Sequence, residues 1–221
     1  MLSSLSNHVK GSAAGVVFTP IDLGNYVTAS GSVSVQVNKA MPSITGLPVA
    51  SPIIYGQPLS ASTLSAGAGS VAGGFAFSAP AFLANAGTSL HPVVFNPTDL
   101  SNYLVASGSV EVTVAKAGTT LSALPLTTPI VFGQPLSAST LSAGSASVDG
   151  NFVFTNPAFV PTVGTSQQQV SFLPADSLNY NASGTLVSVV VNKAQPVVNV
   201  PPVASGIVYG QTLASSTLTA G

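Results

Sequence analysis

The chain repeats itself at one fixed step, without insertion or deletion, and no other feature limits its fold so tightly. Tyr26, Tyr103 and Tyr180 keep this step, and so do Asp22, Asp99 and Asp176. Lys39, Lys116 and Lys193 keep it too, as do the pairs Gly56-Gln57, Gly133-Gln134 and Gly210-Gln211. Fixed self-similarity of this length is the signature of a tandem array. The 221 residues hold two complete copies, 41–117 and 118–194, flanked by partial copies at 1–40 and 195–221. A copy of this size sits near the lower end of the domain range of roughly 50–250 residues, enough for one modest core.

Within each copy the local pattern is β. Ser109 to Lys116 alternates with period two and places Val110, Val112 and Val114 on one face. Ser32 to Lys39 does the same with Val33, Val35 and Val37, and Phe152 shares a face with Phe154, as Phe75 does with Phe77. Val, Ile, Phe, Tyr and Thr fill these runs, which suits a pleated, half-buried surface. No apolar stripe of helical period is sustained. Turn formers punctuate the runs: Asp149-Gly150 reads as a hairpin, with Ala72-Gly73 at the matching place. Ser-Gly at Ser30-Gly31 and Ser107-Gly108 arrives one residue early in the next copy, at Ser183-Gly184, which reads as slack in a loop. About six or seven short strands per copy, with turns about every 8–12 residues, predict a small immunoglobulin-like sandwich. The predicted fold class is therefore all-β: tandem immunoglobulin-like sandwiches, one for each 77-residue copy, in a rod-like array. The joints, Asn38-Lys39-Ala40-Met41-Pro42 and Asn192-Lys193-Ala194-Gln195-Pro196, read as short and stiff.

Composition removes several function classes. Asp, Glu, Lys and Arg make up 4% of the chain, against roughly 25% in ordinary soluble proteins. All four cations are lysines, the formal net charge is −1, and nothing resembles a basic stripe for phosphates, so no nucleic-acid partner is expected. With 46% hydrophobic residues the chain is not of the highly charged, disordered class. Cysteine is absent, which removes disulfides and thiolate metal sites and leaves the redox compartment open. No apolar run approaches the ~18 residues of a membrane span, so no membrane insertion is expected. Met1 to Lys10 lacks the basic start and apolar core of a secretion signal. The expectation is a piece of a longer protein, or export by a signal of another kind.

The motif richest in structural meaning is Phe-x-Pro-x-Asp-x-x-Asn-Tyr, at Phe18 to Tyr26, Phe95 to Tyr103 and Phe172 to Tyr180. It reads as a corner in which Asp22, Asp99 and Asp176 cap the turn through Asx-type bonds. Asn25, Asn102 and Asn179 belong to it, and Tyr26, Tyr103 and Tyr180 are expected to bury a ring and give the hydroxyl a backbone partner. A second motif is Tyr55-Gly56-Gln57, Phe132-Gly133-Gln134 and Tyr209-Gly210-Gln211, where Phe132 shows the hydroxyl to be dispensable and the ring is expected to plug the core. With the Val-x-Val-Asn-Lys-Ala ending, these motifs resemble the bacterial immunoglobulin-like tandem repeats of the YGX type (MBG-like) over nearly the whole chain. That resemblance implies part of a large exported protein, placed outside the cell or on its surface.

Chemistry has little to work with. His8 and His91 are the only histidines, and the repeat puts Asn85 in the place of the first and Ala14 and Gln168 in that of the second. A Ser-His-Asp arrangement built on either would be incidental to the repeat. Glu111 and Asp149 each occur in one copy, and one step-locked Asp per copy is too few for paired acid–base work or for the roughly six to eight oxygens of Ca²⁺. No catalytic residue, cofactor or metal is expected. Three roles stay open: a structural stalk or spacer in a surface adhesin, whose partners are its own neighbouring copies; an adhesion module for a glycan or a surface protein; and a head-to-tail filament in which terminal half-copies complete one another. For the third, residues 68–77 have no counterpart in either partial copy, and the Phe75/Phe77 strand reads as central to the core.

Overall fold

The computed structural model describes residues 12–219, and they form an all-β protein with three short 3₁₀ turns. His8 and Lys10 lie outside the described residues. The first strands, β1 (Ser12–Phe18) and β2 (Ala29–Val35), pair as an antiparallel hairpin.

Residues 41–117 then build eight strands. Five are two or three residues long: β3 (Ile44–Gly46), β4 (Val49–Ala50), β5 (Ile53–Ile54), β6 (Leu64–Ser65) and β7 (Ala68–Gly69). Three are longer: β8 (Gly73–Phe77), β9 (Gly87–Pro97) and β10 (Ala106–Ala115). One sheet has the order β5-β10-β9-β8, with β9 antiparallel to both neighbours and β5 parallel to β10. Two short ladders, β3-β7 and β4-β6, lie apart from it in pairing but close on it in space. A Cβ added to Gly69 in β7 would stand 2.4 Å from the Phe95 ring of β9. The core lies between these layers. Val110, Val112 and Val114 all point into it, as the alternation of β10 requires, and they meet Ile53, Leu59, Phe77 and Val93 there.

The same element order returns one repeat step later: β11 (Leu121–Ala123), β12 (Leu126–Thr127), β13 (Ile130–Val131), β14 (Leu141–Ser142), β15 (Ser145–Ala146), β16 (Gly150–Phe154), β17 (Gly164–Pro174) and β18 (Ser183–Asn192). The sheet order β13-β18-β17-β16 and the ladders β11-β15 and β12-β14 match the first set. The second core gathers Ile130, Leu136, Phe154, Val170, Val187, Val189 and Val191. A last small ladder pairs β19 (Val203–Ala204) with β20 (Leu218–Thr219).

The described residues form two compact units, the first of residues 12–118 with 176–181, the second of 119–175 with 182–219. The turn at 176–181 thus belongs to the first unit.

Two local expectations are corrected. Asp149-Gly150 is not a hairpin: β15 pairs with β11 and β16 with β17, so the segment between them crosses from ladder to sheet. The glycine is required by space, because a Cβ there would lie 2.4 Å from the Leu173 carbonyl oxygen and 2.5 Å from the Phe172 ring. Ser183-Gly184 is not loop slack either. Ser183 pairs with Phe172 as Ala106 pairs with Phe95, so the backbone register is unchanged and only the dipeptide has moved along it.

Candidate functional site

The residues held at the repeat step assemble into small hydrogen-bonded devices. In the first, Gly56 takes φ +90°, Gly133 +92° and Gly210 +94°, the left-handed region that favours glycine. Each glycine is the third residue of a tight turn closed by the glutamine after it. Gln57 N–H donates to the Ile54 carbonyl at 3.0 Å, and its Oε1 accepts the Ile54 N–H at 2.8 Å. Gln134 repeats both bonds on Val131 at 2.9 and 2.7 Å, and Gln211 on Val208 at 3.0 and 2.7 Å. The ring before the glycine varies in setting. Tyr55 packs partly on the first core, but Phe132 is 54% exposed, so it is not the core plug expected for it, and Tyr209 is exposed. In the first unit the Tyr180 ring meets Tyr55 edge-on at 5.4 Å, a partner that Phe132 lacks among the described residues.

The second device is the corner. Asp22 Oδ1 accepts from the N–H groups of Gly24 and Asn25 at 3.1 Å, and Oδ2 from Asn25 Nδ2 at 2.8 Å. Asp99 does the same with Ser101 N, Asn102 N and Asn102 Nδ2, and Asp176 with Asn179 N and Nδ2. Tyr26, Tyr103 and Tyr180 are tied in by the backbone N–H, which donates to the carbonyl of the corner aspartate at 3.1 Å. Among the described residues these N–H bonds, rather than the expected hydroxyl bonds, anchor the tyrosines. The Asn25 side chain, followed by its backbone N–H, holds the Asp22 carboxyl below the ordinary carboxylate range.

Two lysines join corners to strand ends inside the first unit. Lys39 Nζ donates to the Leu100 carbonyl at 2.6 Å, and Lys116 Nζ to the Ser177 carbonyl at 2.7 Å. Beside them Ala40 pairs with Tyr103 and Ala117 with Tyr180 in parallel bridges. Asn179, 5% exposed, also accepts the Ala86 N–H on Oδ1 at 2.8 Å. These lysines are step-locked in the sequence, but no role could be read for them there, because their acceptors are main-chain carbonyls with no residue signature.

A third device was not read from the sequence. Ser62 Oγ donates to the Ser51 carbonyl at 2.6 Å, and the Thr63 N–H donates to Ser51 Oγ at 2.9 Å. Ser139 and Thr140 clip onto Thr128 in the same way, and Ser216 and Thr217 onto Ser205. The signal lay in the run Gly56 to Gly67, identical to Gly133 to Gly144. It now divides into a turn glycine, a clipping glutamine, a core leucine on a 3₁₀ turn and a clipping serine.

Outside the repeat's own devices, His91 is 8% exposed and its Nε2 lies 2.9 Å from Ser89 Oγ. The pair borders a recess of about 300 Å³ that also includes Phe82 and Thr88. Gln168 makes the same bond to Ser166, at 2.8 Å, on the matching strand. The histidine therefore occupies a structural slot that a non-titrating residue fills elsewhere. Among the described residues no three His, Cys, Asp or Glu side chains gather as metal ligands. A groove of about 530 Å³ runs between β4 and β10, bordered by Leu47, Val49, Leu90, Val110 and Glu111. In the second copy Thr127 Oγ1 donates to the Ser188 carbonyl and Gln167 Nε2 to Ser188 Oγ across the corresponding positions. No protein-family model matches the chain, and no curated protein matches it.

Proposed function

We propose that the chain is a structural spacer: tandem immunoglobulin-like modules of the MBG-like repeat type, one per repeat step, forming part of a bacterial surface or adhesin stalk outside the cell. One observation supports this reading above the rest. The polar residues held at the repeat step are spent on main-chain bonds, in the turn of Gln57, the corner of Asp99 and the joint of Lys116. Such bonds set the shape of the turn, the corner and the strand end. With so few charges, the array would hold its form across a wide range of salt. Pulling single chains from their ends tests the reading. The two complete copies should give two unfolding events, each releasing about 240 Å of chain. A single event spanning both copies, or extension without resistance, would sink it.

A second reading, adhesion to a glycan or surface protein, draws on the groove beside Glu111, whose rim residues Leu47, Val49 and Leu90 are more than half exposed. A glycan array and a mucin pull-down with the purified chain, both blank, would set it aside.

A further inference from the structure

The groove between β4 and β10 carries a charge that the repeat does not. The counterparts of Glu111 one step either way, Ser34 and Ser188, are both serine. Glu111 stands on the outer face of β10, exposed between the buried Val110 and Val112. The register of β10 on β9 sets Leu90 directly across from it, and side chains so placed are within reach of one another. Leu47 and Val49 line the groove with Leu90, and the three are 51, 65 and 66% exposed. Ser109 and Thr113 border it on β10, and none of its described lining residues is aromatic. The groove of about 530 Å³ is therefore aliphatic on its walls and anionic at one point.

The second copy shows what closes the same place. Thr127, Gln167 and Ser188 stand where the first copy has Ala50, Leu90 and Glu111. Thr127 Oγ1 donates to the Ser188 carbonyl at 2.7 Å, and Gln167 Nε2 donates to Ser188 Oγ at 2.9 Å. Side chains from two other strands thus satisfy that position. Ala50 and Leu90 have no polar side-chain atom, so neither bond can form in the first copy. The described lysines of the first unit are committed elsewhere, Lys39 to the Leu100 carbonyl and Lys116 to that of Ser177. Glu111 is left facing aliphatic side chains, with no lysine of its own unit beside it.

We propose that this groove takes an arginine side chain from a partner protein, carried on a segment with apolar residues to either side. The inference rests on the adhesion reading of the same groove and names its ligand. A guanidinium meets a carboxylate through two parallel N–H···O bonds. The arginine stem covers aliphatic surface while its head stays at the charge. Leu47, Val49 and Leu90 offer that surface, and Glu111 offers the carboxylate. A sugar, whose many hydroxyls each want a partner, is served less well by one carboxylate and two hydroxyls. A single carboxylate is also too few for Ca²⁺.

Titrating the isotope-labelled full chain with the acetylated, amidated peptide Ala-Leu-Arg-Leu-Ala tests the proposal by NMR. The amide signals of Val49, Leu90 and Glu111 should shift with occupancy, while those of Leu126, Gln167 and Ser188 stay in place. The same peptide with citrulline for arginine keeps the shape and loses the charge, and it should bind roughly tenfold more weakly or worse. The arginine peptide should lose as much on Glu111→Gln. Ala50→Thr, Leu90→Gln and Glu111→Ser together copy a set that already folds in residues 118–194. That variant should abolish the shifts with an unchanged circular dichroism spectrum. Equal binding of the arginine and citrulline peptides, or shifts that survive Glu111→Gln, would overturn the proposal. A blank peptide titration beside a glycan or mucin that shifts Val49, Leu90 and Glu111 would overturn the arginine assignment and leave the adhesion reading standing. Blank results with peptide, glycan array and mucin alike would sink both.

Discussion

At the scale of single residues, the step-locked polar side chains stand in for backbone partners. Gln134 both donates to and accepts from Val131, closing a turn that Gly133 alone could enter but not hold. Gln134→Ala should cost about 0.5–1.5 kcal/mol, the usual worth of one such bond, read from the urea unfolding midpoint. Gly133→Ala should cost about 1–2 kcal/mol, because φ +92° carries a Cβ penalty. The Asp22 corner carries a pH signature. Its carboxyl is held below the ordinary value in the folded turn, so the turn is favoured above the unfolded carboxyl's pKa. That preference fades as pH falls through the folded value. The Gly24 and Asn25 amide signals should shift together in an acid NMR titration, and Asp22→Asn should abolish the shift. The motif letters were legible in the sequence. The lysine acceptors and the serine clips were not, since a carbonyl 61 residues away leaves no mark on the residue that owns it.

At the scale of elements, the aromatic of β9 or β17 sets what its neighbours can be. Phe95 lies under Gly69 and Gly73, and Phe172 under Gly150, so tightly that a Cβ would stand 2.4–2.6 Å from the ring. Gly150→Ala must also displace the Leu173 carbonyl, which cannot swing aside as a side chain can. Overpacking of this kind should cost about 1–3 kcal/mol, and Phe172→Ala about 3–5 kcal/mol, both measured by chemical denaturation. Strand periodicity was readable for β10 because its alternation is strict. The hairpin misreading at Asp149-Gly150 came from treating the glycine as a turn former, when its conformation is ordinary and the demand is for space. The two-residue strands β4, β5, β12 and β13 have too few positions to show any period.

At the scale of the whole molecule, the joints matter most. Asn179 serves two elements at once, bonding Asp176 in its own corner and the Ala86 N–H. Asn179→Ala leaves that N–H short of a partner and should cost about 1–3 kcal/mol in the first unit. Asn102→Ala, on a more exposed corner, should cost less. Differential hydrogen exchange at the Ala86 amide would separate the two. The all-β class could be read from the strand patterns, because each alternating strand must bury one face. What the chain contacts could not be read, because step-locked polar groups such as those of Gln57, Asp99 and Lys116 bond to the chain's own backbone.

The central proposal is that this chain is a structural spacer, which as an array of modules would be extended. Small-angle X-ray scattering extrapolated to zero concentration tests it most directly, since dilution removes any association between chains. Copies ~30 Å long placed end to end predict a radius of gyration of about 25–30 Å. A value of about 17 Å, that of a compact globule with this many residues, would contradict the account.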